Sequence, residues 1–82
     1  MNNIPVYLQK RIMAFAPNNK ELSDLVRDGG PIADIIEQLS KEHVKKFDII
    51  LKIDPKSRYD EVNEYREILG GLIDVDGLPK EE

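Results

Sequence analysis

The segment "RDGGPIADI", Arg27 to Ile35, sets two glycines and a proline between two stretches of periodic apolar residues. It admits three readings: a phosphate-cradling loop, the turn of a DNA-reading helix-turn-helix, or a stop and restart between packed helices. A phosphate loop needs glycines at fixed spacing with a lysine and a hydroxyl, after a strand. This segment has no lysine, serine or threonine; Pro31 removes one N–H donor, and Asp28 and Asp34 repel an anion. The helix-turn-helix outline suits residues 18–40 better. A recognition helix, however, offers Arg, Lys, Asn or Gln to base edges and phosphates, whereas the outward positions here carry Asp34, Glu37 and Gln38. A structural corner is the preferred reading. A DNA-binding regulator centred on residues 18–40 is the alternative.

On either side of the corner the apolar residues recur at helical spacing. Upstream, "NNKELSDLVRDGG" pairs Asn18 with Glu21 as a reciprocal cap and carries Leu22, Leu25 and Val26 on one face, which predicts a helix over 19–28. Gly29 suits the left-handed position just past its end. Downstream, Pro31 opens a stripe of Ile32, Ile35, Ile36 and Leu39 that continues through His43, Val44, Phe47, Ile50 and Leu51. That predicts one helix over 31–53 closed by Pro55, with Ser40 as the one position where a separate helix can start. Before the corner, Ile4, Leu8, Ile12 and Phe15 predict a helix over 4–16, capped by Asn3, with Pro5 in its first turn and Pro17 at its end. The last helix, over 58–69, is read from the pair Ser57 and Asp60 and from the face Tyr59, Val62, Tyr65 and Leu69, with Ile68 alongside. Gly70 and Gly71 stop it. The fold class is all-α: four helices forming one domain over residues 1–76, then a flexible polar tail over 77–82.

A chain of 82 residues builds a modest core, worth about 3–5 kcal/mol. There is no cysteine, so neither a disulfide nor a thiolate metal site supports it. A protein partner or a second copy of the chain is the remaining support. Net charge is −4, with residues 1–40 at −1 and 41–82 at −3, so neither half has the basic excess of a nucleic-acid binder. No apolar run approaches the ~20 residues of a membrane span, and the N-terminus lacks the pattern of a secretory signal. A soluble, cytoplasmic protein is expected.

No residue set points to catalysis, a cofactor or a metal. His43, the one histidine, lies on an apolar stripe with no second ligand at sensible spacing and no Ser or Asp aimed at it. It reads as a partly buried structural side chain. Lys41, Lys45, Lys46 and Lys52 alternate with Glu42 and Asp48, the pattern of a solvated helix face. "DVDG", Asp74 to Gly77, begins like a calcium loop, but the chain ends before a twelfth-position glutamate. Asp60 and Glu64 are ordinary i,i+4 surface neighbours. The apolar inventory is more informative. Ile4, Tyr7, Met13, Phe15, Phe47, Tyr59, Tyr65, Leu72, Ile73 and Val75 are many large groups for four short helices. Some are expected to meet another chain, with Phe47, Leu51, Tyr65, Leu72, Ile73 and Val75 as the partner-binding candidates.

The length, the Lys/Asn/Ile/Asp/Glu-heavy texture and the opening "MNNIPVYLQKRIMAF" resemble the cytoplasmic lysis-inhibition accessory proteins of T-even phages, the rapid-lysis class of antiholins. The resemblance spans the chain and rests on no diagnostic motif, so it carries over no binding residue. It implies a non-enzymatic protein that binds the cytoplasmic segment of a membrane holin and delays lysis.

Overall fold

The computed structural model describes residues 4–50 and 54–80. Among them are four helices: α1 (Val6–Phe15), α2 (Lys20–Arg27), α3 (Ile32–Ile50) and α4 (Pro55–Leu72). The all-α expectation holds, and α3 runs unbroken through Ser40. An isolated antiparallel bridge joins Ile73 to Pro79.

The corner at residues 27–31 is a helix stop and restart. Gly29 adopts φ 73, a left-handed value that side chains with a Cβ avoid. This turns the chain so that the Gly30 N–H donates to the Leu25 carbonyl at 2.7 Å, closing α2 in the Schellman manner. Pro31 precedes α3 and does not enter it; its carbonyl accepts from the N–H groups of Asp34 and Ile35. Pro5 likewise caps α1, which begins one residue later than Pro5. The expected cap Asn3 lies outside the described residues.

Two further caps differ from expectation. Asn19, one residue after the expected Asn18, accepts from the Leu22 N–H at 2.9 Å. Its amide also reaches Gln38 Oε1 at 3.4 Å and Glu42 Oε1 at 3.3 Å, tying the start of α2 to α3. Replacing Asn19 with Ala therefore removes a cap and an interhelical tie together. The expected loss is about 1–2 kcal/mol, read as a fall of roughly 5–10 °C in Tm. An unchanged Tm would overturn this assignment of the cap. At α4, Asp54 is the cap, accepting from the Lys56 N–H at 3.1 Å, and Ser57 donates its hydroxyl to Asp54. Pro55 opens α4, because a first-turn proline lacks only an N–H that has no helical partner; the expected end of α3 at residue 53 lies outside the described residues.

The core gathers Ile4, Leu8, Ile12, Phe15 and Ala16 from the first segment with Leu22 and Val26 of α2, Ile32, Ile35 and Leu39 of α3, and Ile68 and Leu72 of α4. The end of α4 and its core face are both corrected. Gly70 and Gly71 lie inside α4, which runs on to Leu72; packing outweighs the roughly 1 kcal/mol that glycine costs in a helix. The core face of α4 is also rotated from the expected one. Ile68 and Leu72 are buried, while Tyr59 is 69 % exposed.

Beyond α4 the chain turns back on the end of the helix. Asp74 accepts through its carboxylate from the N–H groups of Asp76 and Leu78. Gly77 takes φ 80, and the Lys80 N–H donates to the Leu72 carbonyl at 2.8 Å. Residues 81–82 lie outside the described range. The helices form two layers. Principal extents of 39 × 28 × 19 Å leave a thickness of about two helix diameters.

Candidate functional site

α3 and α4 form an antiparallel hairpin whose level is marked by side chains that touch across it. The His43 ring stacks on Tyr65 with centroids 4.1 Å apart and planes 4° from parallel. One turn further along, the Arg58 guanidinium lies 5.9 Å from the Phe47 ring centroid. The first two helices cover one side of this hairpin. Lys46 Nζ sits 4.2 Å over the Phe15 ring, and Phe15 stands 6.2 Å from Tyr65. Arg11 donates to both Glu64 and Glu67 at 2.8 Å. Those bonds, the one to Glu64 foremost, hold the guanidinium proton above the ordinary arginine range.

Helical phase then defines the other side. At about 100° per residue, Lys46, Gln38 and Glu42 turn α3 toward α1 and α2, so Ile36, Ser40, Val44 and Phe47 occupy the flank away from them. On α4, Glu64 and Glu67 face Arg11, and the flank away from α1 carries Tyr59, Val62, Arg66 and Leu69, with Ile73 in extended backbone just past the helix end. Val44 is 56 % exposed, and Ile36, Phe47, Val62, Leu69 and Ile73 are half-buried. Positions 59, 62, 66 and 69 alternate steps of three and four, the spacing that seats one helix on another. Among the described residues no further helix covers this face, in keeping with the 19 Å thickness. The apolar face expected for α4 thus exists in large part, but it points outward.

The partner-binding candidates divide accordingly. Phe47 and Ile73 belong to the open face. Leu51 lies outside the described residues. Tyr65 is half-buried between His43 and Phe15, on the core side of α4. Leu72 is fully buried and is a core residue, unavailable to a partner; a straight-chain reading cannot tell an apolar residue that closes a core from one that faces outward. Val75 is fully exposed on the turn after α4. From the wider apolar inventory, Ile4 and Phe15 are also core. Val44, Val62 and Leu69 also lie on the open face, although helical period alone assigns each to a core stripe.

His43 has a neighbour that spacing did not reveal. Its Nδ1 lies 3.9 Å from Glu61 Oε1, and both atoms are buried without a hydrogen-bond partner. Glu61 arrives through the packing of α4 on α3, eighteen positions away in sequence. Among the described residues no group of three or more His, Cys, Asp or Glu side chains could hold a metal ion.

The corner used for the helix-turn-helix alternative borders an open cleft of about 230 Å³ lined by Glu21, Leu25, Asp34, Glu37 and Gln38. Three carboxylates at that position repel a phosphate backbone. A second cleft of about 230 Å³ lies where the starts of α1 and α3 meet the end of α4, lined by Ile4, Pro5, Tyr7, Ile32, Gly71 and Lys80. No described helix is long and apolar enough to cross a membrane.

Fold and site together define a small all-α bundle with an open, apolar two-helix face. Comparison with protein-family models, with curated proteins and with solved structures finds no match for this chain.

Proposed function

We propose that this chain is a small non-enzymatic regulator in the cytoplasm that acts by docking another protein on the open α3–α4 face. The observation that carries the reading is the apolar flank of exposed Val44 and Tyr59 with half-buried Phe47, Val62, Leu69 and Ile73 on a two-layer bundle. A stripe at helix-packing spacing suits an amphipathic helical segment, whose apolar side it receives. The likeness of the opening sequence to phage lysis-inhibition proteins supports one particular partner, the cytoplasmic segment of a holin. On that reading the chain delays lysis by occupying the holin's surface, with no chemistry of its own.

The test is capture of a peptide of the holin's cytoplasmic segment by the purified chain and by Val44→Asp. Val44 is exposed, so the substitution leaves helicity and Tm near those of the parent. A charge in the centre of the face weakens capture at least about tenfold, and the variant no longer delays lysis when co-expressed with the holin. Capture equal to the parent's would remove the face from the reading. A mobility shift on duplex DNA that fades with added salt would transfer the function to the helix-turn-helix alternative.

A further inference from the structure

We infer that His43 and Glu61 form a proton-sensitive clasp between α3 and α4, closed when the ring is charged and weakened when it is neutral. The clasp lies inside the hairpin and is independent of what docks on its open face.

The two side chains come from different helices and meet within the contact. Nδ1 of His43 lies 3.9 Å from Oε1 of Glu61, both atoms are buried, and neither has a hydrogen-bond partner. That gap is longer than a made hydrogen bond, about 3 Å, and shorter than the roughly 4.5 Å across a bridging water. The groups therefore act on each other directly, as charges. Beside a neutral ring, a carboxylate here is a buried charge that nothing compensates. Beside a charged ring, the same geometry is an ion pair screened by little water. The stack adds to the difference. The His43 ring lies 4.1 Å from the Tyr65 ring and 4° from parallel, so an imidazolium rests on an aromatic face that attracts cations.

No neighbouring charge substitutes for the proton. On α3, Glu42 meets Lys45 and the Asn19 amide that precedes α2, and Lys46 leans over Phe15 of α1. On α4, Arg58 is directed at the Phe47 ring, and Glu64 is held by Arg11 of α1. Phe47 itself, tilted beside the imidazole at 5.6 Å, is apolar. Among the described residues no other cation stands at ion-pair distance from Glu61.

The direction with pH follows. In the unfolded chain an ordinary histidine exchanges its proton near pH 6.5, and ordinary carboxylates are ionised on both sides of that value. The clasp favours the charged ring in the folded state alone. Its stability is therefore fully present below about pH 6.5 and is lost as pH rises through the histidine range. The chain has one histidine and no cysteine, so few other side chains titrate between about pH 5.5 and 8.5.

Urea titrations of the parent and of Glu61→Gln at about pH 5.5 and 8.5 test the clasp. The parent's folding constant should fall about fivefold between the two. The variant's should stay level or rise, because a buried ring without its anion favours the neutral form. His43→Gln should remove the dependence. A second measurement needs no variant: at about pH 7, unfolding of the parent should release roughly a third of a proton, read from unfolding enthalpies in buffers of different ionisation enthalpy. Parent stability that is level or rises with pH overturns the clasp, and so does proton uptake on unfolding. An equal fall in Glu61→Gln overturns it too, since the dependence would then belong to another group.

Discussion

Replacing Leu39 with Ala is expected to leave the chain largely unfolded at 37 °C. Leu39 is fully buried, within a core that draws on all four helices. Truncating a leucine at such a site costs about 2–5 kcal/mol, because lost burial is compounded by the cavity left behind. The whole domain holds only about 3–5 kcal/mol, so the substitution consumes most of it. The Tm should fall by roughly 15 °C or more in a thermal melt followed by circular dichroism. Val44→Ala, five residues along the same helix but exposed, should stay within about 0.5 kcal/mol of the parent. Equal losses at the two positions would contradict the division of α3 into a core flank and an open flank.

Two adjacent glycines in α4 should respond in opposite directions. A Cβ at position 71 would meet Leu8 Cδ2 at 2.7 Å and Cδ1 at 3.3 Å, whereas one at position 70 meets nothing within 4 Å. Leu8 is 2 % exposed, so it has little room to withdraw, and no rotamer of a new side chain moves its own Cβ. Gly71→Val therefore overpacks the α1–α4 contact and should cost about 2–3 kcal/mol, a fall of roughly 10–20 °C in Tm. Gly70→Ala lies on the open side of the same turn and should gain about 0.5–1 kcal/mol, by lowering the chain entropy lost on folding. Urea titrations with unchanged slope would report both as changes of stability alone. If Gly71→Val proved neutral, α1 would not sit as close to α4 as the structure places it.

The glycine pair shows where local reading ends. From sequence, Gly70 and Gly71 look like a stop, since glycine is a poor helix former and nothing in the next few residues demands continuation. The helix continues because Leu72 closes the core and Gly71 lets Leu8 approach, two facts that belong to residues over sixty positions away. Asp54 and Pro55 are the opposite case, a boundary set by contacts within three residues. A proline after an apolar stripe reads as an end, yet here it begins the next helix, because the aspartate before it supplies the cap.

The all-α class, the corner at Gly29 and the stripes of α1, α2 and the first half of α3 were set by the sequence alone. Each depends on contacts within about four residues: a period of 3.6, an αL glycine and a proline that cannot continue a preceding helix. The tertiary structure alone decided which of two apolar flanks of α4 turns inward, that Glu61 comes to rest beside His43, and that Leu72 is core while Val44 is surface. A helix with apolar residues on two flanks has no local preference between them. The choice is made by what α1 and α2 can cover, and the flank they leave open is the one on which the proposed function rests.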